Sequence, residues 1–496
     1  MILKQDNFLI PEIFACIIAL IAGILIYFSR INFDNNVFLI IKSISISFII
    51  IFSPYLLKKL IINNKINFFF ISKSLLLFIV LTIISLIGYF SIKFDINVGI
   101  FLFLIGFTLF IFFFIEVYKM KLEINYILLI LFVILSIWIT SVYYDTYYLH
   151  PLMKEKVVLG AWAHRDAVWH ATLSGIFKTY SVSSTGLDGL ISFKYHNFSH
   201  LIYGLFSGVL SINSLDFNAI VAPIIFLPIF FLSFLFCINE IGDFFNLKQK
   251  LNKFNFNEIR FWILFTILFT LPLPKYWLPE TYQYITSQSY FMAFIFTFIL
   301  FGSLFSIINK YISKMITNID SIILIILPIL SYCIIYSKVS FLYVISILYI
   351  YIFFRLKLFK RKLQKILLIV MSLLFVFIYF DLVVAFSNEF PSNNWKSDYL
   401  NLIISYPYYI YLSLFYIFIK IWFLRINSRD KLIKNFNNFN IIDLEILFIL
   451  IFALFIIPYD YFKGIQIHFA NILILSNSKI LFDLLKNNNI NKKINV

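Results

Sequence analysis

Long apolar segments alternate with short polar connections along almost the whole chain. Runs close to the roughly 20 residues that an α-helix needs to cross a bilayer lie at 8–29, 37–54, 67–90, 97–117, 124–143, 217–238, 259–274, 288–309, 321–337, 339–354, 364–380, 400–424, 441–458 and 463–485. Lipid cannot satisfy unpaired backbone groups, and the strict alternation of a membrane β-strand is missing from these runs. The pattern therefore predicts an all-α, polytopic integral membrane helical bundle of about 14 transmembrane helices.

The composition supports lipid as the solvent for most of the chain. Hydrophobic residues make up 62% of the 496 residues and charged residues only 13%, whereas soluble domains carry about 25% charged residues. This balance excludes a soluble globular enzyme, a disordered protein and a secreted disulfide scaffold. The three cysteines, Cys16, Cys237 and Cys333, each fall inside an apolar run, so we expect small buried side chains and no disulfide.

Basic residues determine the predicted orientation. Lysine and arginine exceed aspartate and glutamate by 40 to 24, a net charge of +16, and they concentrate in the short connections. Clusters at 58–65, 119–121, 248–260, 310–314, 355–365 and 425–434 can all be cytoplasmic at once, as the positive-inside rule requires. The sequence thus predicts a cytoplasmic (inner) membrane protein with both termini in the cytoplasm, and it gives no reason to expect nucleic-acid binding.

This orientation divides the chain into four predicted regions. Residues 1–143 form a five-span region, 144–216 a large outer loop, 217–485 a nine-span region, and 486–496 a polar cytoplasmic tail. The loop contains two half-apolar helices, near 166–180 and 196–212. Their polar residues favour placement at the outer interface, or a shallow dip into it.

Histidines cluster in this outer loop. Five of the six histidines fall there, at positions 150, 164, 170, 196 and 200. The pairs Asp166–His170 and His196–His200 are each spaced i,i+4, which puts each pair on one face of a helix. Packing of the two helices would bring a carboxylate and three imidazoles together. This cluster would form a catalytic site, hold a divalent metal, or simply solvate two interfacial helix faces.

Acid–base chemistry is the interpretation we favour. Asp166 would serve as general base or orienting carboxylate, with His170 and Asp145, directly after the fifth span, as further catalytic candidates. Asp145 is alternatively an ordinary aspartate in an aromatic belt. The side chains expected to hold substrate and phosphate are His164, Arg165, Lys194, Tyr195, His196, His200, Lys338 and Ser340. Lys338 lies in a turn too short to leave the membrane region, so it contacts an anion or snorkels to the surface.

Three short segments resemble motifs of known proteins: Asp166–His170, Tyr195–His200 and Lys338–Ser340. They are similar to the D-x-x-x-H, YH-x-x-x-H and KxS elements of uncharacterised polytopic proteins of bacterial surface-polysaccharide loci. The long outer loop among many spans resembles the GT-C class of membrane glycosyltransferases. The resemblance implies an undecaprenyl- or dolichyl-phosphate sugar as donor and an acceptor that enters from the outer face.

We therefore expect a membrane glycosyltransferase that moves a sugar from a polyprenyl-phosphate donor to a glycan, lipid or protein acceptor. A polysaccharide polymerase that joins lipid-linked repeat units is a close variant. A transporter or flippase of lipid-linked glycans belongs to another class, and a structural membrane subunit to a third. The expected partners are the polyprenyl-linked sugar, membrane lipid and the acceptor. We expect no cofactor and assign no metal ligands. A divalent metal bound at the histidine cluster is the alternative.

The first prediction concerns sidedness. A single cysteine introduced by Thr185→Cys should react with a membrane-impermeant maleimide added to intact cells, because residues 144–216 are predicted to face outward. Labelling that appears only after permeabilisation would place this loop in the cytoplasm and invalidate the topology.

Overall fold

The computed structural model describes residues 9–30, 37–63, 72–119, 165–184, 197–244, 288–312 and 319–338, together with a few isolated positions between 137 and 380. Predicted spans at 124–143, 259–274, 339–354, 400–424, 441–458 and 463–485, and the tail at 486–496, lie outside the described residues. The predicted span at 364–380 is described only at isolated positions.

The described part of the chain is helical, with one isolated bridge between two glycines and no strand. Its long helices are α1 (Leu9–Arg30), α2 (Val37–Asn63), α3 (Lys73–Phe94), α4 (Gly99–Lys119), α5 (Arg165–Tyr180), α6 (Phe198–Leu210), α7 (Ala222–Phe244), α8 (Gln288–Ile312) and α9 (Ile319–Ser337). Each corresponds to a predicted span or loop helix. The largest differences in bounds are at α2, which continues through Pro54, at α3, which begins at Lys73 instead of near 67, and at α7, which ends at Phe244 instead of near 238.

Two stretches are long and apolar enough to cross a membrane by length and composition, Val37–Lys58 and Lys73–Phe94. Shorter apolar helical stretches occur at Ala15–Phe28, Gly99–Phe112, Phe198–Leu210, Ala222–Cys237, Phe291–Leu304 and Pro328–Ser337. The α-helical class is thus confirmed for the described residues. The count of about 14 spans stays a prediction.

Helix α7 lies at the centre of the helical unit. The chain divides into two compact units, and α1 to α9 all belong to the first. Within it, α7 packs against α1, α2 and α8, while α6 packs against α3 and α5 and reaches α8 and α9. Aromatic rings fill the centre: Phe230 on α7 lies 5.2 Å from Phe291 on α8, centroid to centroid. The unit is therefore held by large apolar side chains packed between helices.

Helix ends separate into two groups at opposite ends of this unit. At one end, the Lys73 ammonium at the start of α3 lies 4.8 Å from the Tyr55 ring of α2 and 5.7 Å from the Phe236 ring of α7. At the other end, Ser91 Oγ near the end of α3 donates to the carbonyl oxygen of Ile96 at 2.5 Å and lies 3.4 Å from the carbonyl oxygen of Gly208 on α6. The first group contains ends that the sequence predicts to be cytoplasmic, and the second contains ends predicted to face outward. Their orientation in a membrane stays a prediction.

Small residues let α6 approach its neighbours closely. A Cβ on Gly204 would lie 2.6 Å from the carbonyl oxygen of Ser174 on α5, and one on Gly88 of α3 would lie 2.5 Å from that of Leu205. Gly208 packs against the side chain of Ile92 on α3. Gly204 and Gly208 form a GxxxG motif, a pattern typical of close helix contacts, and its two glycines face different partner helices.

The environment of α6 differs from the prediction for an interfacial helix. The helix has 13 residues, about 20 Å, and ten of them are buried, including Ser199, His200 and Ser207. Its polar side chains face other helices, because α3, α5 and α8 surround it. The helix dips into the bundle and does not lie on it with a solvated polar face.

Polar contacts fix the ends of α5 and α6. The Lys178 ammonium on α5 donates to the carbonyl oxygen of Ile212 at 2.6 Å, just past the end of α6. A cation there stabilises the last carbonyls of the helix, where its dipole is negative. Ser211 caps α6 in the left-handed region, with φ of 57°. These contacts hold α5 and α6 together as one pair.

The three cysteines are buried and unbridged, as predicted. Cys16 on α1 lies 3.7 Å from the carbonyl oxygen of Pro228 on α7, measured from its sulfur. Each thiol thus behaves as a small apolar side chain within the helix packing.

The contact between Gly204 and Ser174 predicts that two glycine-to-alanine changes in α5 and α6 will differ in their effect on stability. Gly204→Ala should destabilise the protein by about 1–3 kcal/mol, the usual range for overpacking. Gly175→Ala is the control, because its Cβ would lie 3.7 Å from Ser214, an ordinary contact. Thermal unfolding in detergent should show a lower melting temperature for the first variant alone. Equal melting temperatures for both would contradict the close approach of α5 and α6.

Candidate functional site

The structure brings two of the predicted site residues, His170 and His200, into contact, and a third, Lys338, acts electrostatically on His200. His170 on α5, His200 on α6 and Lys338 directly after α9 are described with their side chains. Arg165 and Asp166 lie in the first turn of α5. The other predicted residues, Asp145, His164, Lys194, Tyr195, His196 and Ser340, lie outside the described residues. Helix α6 begins at Phe198, two residues later than predicted.

The two histidines are in direct contact. His170 Nδ1 lies 3.4 Å from His200 Nε2, with 4.9 Å between ring centroids and 27° between ring planes. His200 is fully buried, whereas His170 keeps part of its surface accessible. The crossing of α5 and α6 produces this contact, because Ser174 meets Gly204 one helical turn further along both helices.

A third helix completes the contact through Gln288, the first residue of α8. Gln288 Oε1 lies 3.0 Å from His200 Nδ1, although 88 positions separate the two residues in sequence. The Gln288 side chain is 5% exposed. Both nitrogens of the buried imidazole thus have polar neighbours, which a buried polar ring requires.

Two serines extend the polar contacts. Gln288 Nε2 donates to Ser174 Oγ at 3.2 Å and to the carbonyl oxygen of Ser199 at 3.5 Å. Ser174 Oγ donates in turn to the carbonyl oxygen of His170 at 2.9 Å. We call His170, Ser174, Ser199, His200 and Gln288 the histidine network. Ser199 Oγ is buried with no hydrogen-bond partner among the described residues, and a water or substrate group can satisfy such a hydroxyl.

The electrostatics keep the buried histidine neutral. Burial lowers the pKa of His200 well below its ordinary value of 6.5, and the neighbouring His170 and Lys338 lower it further. The hydrogen bond to Gln288 acts in the opposite direction. Burial also lowers the pKa of Lys338 to about 8, so its ammonium is incompletely solvated and favours a nearby anion.

The contact between the two imidazoles suits proton transfer. Among the residues with described positions, no group of three or more His, Cys, Asp or Glu side chains is placed to hold a metal ion. Two imidazoles in contact, one buried and neutral and one accessible, form a chain along which a proton can be accepted and shared. The accessible imidazole of His170 is the one that a substrate can reach.

Three members of the network were missed by sequence reasoning. Ser174 and Ser199 are neighbours of the histidine pairs, but small hydroxyl residues occur throughout this chain. Gln288 opens an apolar run far from the loop, and no local motif marks it. Its position at a helix start on the predicted outer side was the only available signal.

The lowered pKa of His200 predicts acid sensitivity of the fold. The unfolded chain takes up a proton as the pH falls through 6.5, while the folded state excludes it. The free energy of unfolding should therefore fall below pH 6.5, by up to about 1.4 kcal/mol per pH unit. In His200→Gln, the loss of melting temperature between pH 7.5 and 5.5 should be smaller than in the wild type. The same loss in both proteins would show that His200 is not the buried neutral group.

No protein-family model, curated protein or solved structure matches this chain. We therefore argue function from the chemistry of the histidine network and from Lys338.

Proposed function

We propose that this protein is a membrane glycosyltransferase that moves a sugar from a polyprenyl-phosphate donor to an acceptor hydroxyl at the outer face of the membrane. The observation that carries the proposal is the convergence of His170, His200 and Gln288 from three helices, at a partly accessible imidazole. Lys338 adds a cation whose charge acts on the same buried histidine. A base and a cation together are what this transfer needs.

The reaction requires a base that accepts a proton and a cation that stabilises the leaving phosphate. The acceptor oxygen attacks the anomeric carbon of the sugar and gives its proton to a base, while the bond from that carbon to the phosphate oxygen breaks. The bonding electrons leave with the polyprenyl phosphate. A base contributes about 10²–10⁴-fold to such a step, and a cation beside the leaving phosphate stabilises its growing charge.

His170 fits the role of base. It is the accessible member of the pair, and its contact with His200 spreads the charge that it gains with the proton. Asp166 lies one turn earlier on α5, at the i,i+4 spacing that places it on the same face as His170. Asp166 is thus the rival base, or the carboxylate that stabilises the imidazolium after the transfer.

Lys338 fits the role of phosphate ligand. Its ammonium lies at the end of α9, near the buried His200, and burial lowers its pKa to about 8. Contact with a phosphate would stabilise the charged form further, because an anion at close range stabilises an ammonium. Gln288 and Lys338 belong to ends that the basic loops predict to face outward. The proposed site therefore opens toward the outer leaflet, where lipid-linked donors are presented.

A transporter of lipid-linked glycans is the second candidate. Ionisable residues inside a helical membrane bundle also form the proton relays of pumps and transporters. The buried contact between His170 and His200 suits that role as well. The two functions differ in whether the bond between sugar and phosphate is broken.

The test uses protein in nanodiscs and a panel of radiolabelled undecaprenyl-phosphate hexoses, with cell-envelope extract as acceptor. His170→Gln should lower transfer by about 10²–10⁴-fold, because the proton acceptor is lost. Thr172→Val is the matched control on α5, since Thr172 is exposed and its hydroxyl donates within its own helix to the carbonyl oxygen of Val168. Its transfer should equal that of the wild type. Asp166→Asn in the same assay identifies which of the two residues is the base.

The outcomes separate the candidates. Normal transfer by His170→Gln together with loss in Asp166→Asn moves the base to the carboxylate. A wild-type protein that moves labelled lipid between leaflets of vesicles without cleaving it is a transporter. Absence of both activities across the panel would remove the support for either function.

A further inference from the structure

Gln288 lies outside every segment that the sequence marked as functional, yet its amide contacts three members of the histidine network. A glutamine side chain has a donating end and an accepting end, so its orientation determines what each neighbour must do. The contacts of Gln288 determine that orientation.

The nitrogen end of Gln288 is fixed by two acceptors. The carbonyl oxygen of Ser199, 3.5 Å away, can only accept. Ser174 Oγ gives its own proton to the carbonyl oxygen of His170 at 2.9 Å and so accepts from Gln288 at 3.2 Å. Both contacts require a donor, so Nε2 faces the serines and Oε1 faces His200.

The histidine tautomers follow from this orientation. Gln288 Oε1 can only accept, so His200 carries its proton on Nδ1, 3.0 Å away. The neutral ring of His200 then has a lone pair on Nε2, which faces His170 Nδ1 at 3.4 Å. His170 must donate across this contact, which puts its proton on Nδ1 and the lone pair on Nε2.

We propose that Gln288 is a positioning residue that fixes both imidazoles as Nδ1–H tautomers and thereby makes His170 Nε2 the proton-accepting atom of the site. The chain of hydrogen bonds runs from the backbone carbonyl of Ser199 through Gln288 and His200 to His170. The carbonyl can only accept, so it fixes the direction of every hydrogen bond in this chain. Removal of the Gln288 amide would leave His200 free to take either tautomer, and His170 would follow. The catalytic value of this relay rests on the proposed function, whereas the tautomers themselves do not depend on it.

The test is nitrogen NMR of protein labelled with ¹⁵N-histidine at pH 8, where protonated and bare ring nitrogens have distinct shifts. His170→Gln and His200→Gln assign the signals by their loss. The wild type should show protonated Nδ1 and bare Nε2 for both residues. Gln288→Met should give His200 a mixture of tautomers. Ser303→Ala on the far end of α8, where Ser303 contacts Ser72, is the control and should leave the tautomers unchanged.

Activity is measured on the same samples. Gln288→Met should lose about tenfold or more in transfer, since the base presents its lone pair in only part of the population. Protonated Nε2 on His200 in the wild type, or unchanged tautomers in Gln288→Met, would overturn the proposal. The expected tautomers in a protein without transfer activity would support the positioning role and contradict only the proposed function.

Discussion

A fully buried imidazole must have both of its nitrogens satisfied, and this requirement at His200 organises the candidate site. Water is excluded from the ring, so α5 supplies one partner through His170 and α8 supplies the other through Gln288. An unsatisfied buried polar group costs about 1–3 kcal/mol. Helices α5, α6 and α8 are therefore joined at this point by polar contacts of defined direction.

The close packing of α6 makes this arrangement possible. Gly204 admits the backbone of α5, and Gly88 of α3 admits the backbone of α6 on its other side. A larger residue at either position would separate the helices by more than a hydrogen bond can span. The glycines thus allow close helix packing that buries His200 and brings it into contact with His170. The His170 ring stays accessible.

Much of the helical architecture could be predicted from the sequence, since long apolar runs bounded by lysines have few alternatives to helix. The bounds of α8 and α9 followed from local pattern to within three residues. The burial of α6 among its neighbours could not be predicted in this way. Its serines and His200 suggested a solvated face, but hydropathy does not distinguish water from the polar side chains of a neighbouring helix.

The site was predicted in part for a similar reason. The histidine spacing located His170 and His200 in the right segments, because i,i+4 pairs mark a helix face. The same spacing favoured Asp166 and the His196–His200 pair as the centre of the site. It did not identify the contact between His170 and His200. Gln288 is related to that contact only through tertiary packing, and no rule of spacing connects residues 88 positions apart. Tautomers and proton direction depend on that residue, so they could not be inferred from the chain alone.

A double-mutant cycle on His200 and Gln288 tests the central claim most directly. The free energy of unfolding is measured in mixed micelles for His200→Phe, Gln288→Met and the double variant. Each single change leaves one buried polar partner unsatisfied, whereas the double change removes both. We predict a double variant more stable than the sum of the single losses, with a coupling energy of about 0.5–3 kcal/mol. Single losses that add to within about 0.5 kcal/mol would show that the two side chains do not interact, and the histidine network would not exist as described.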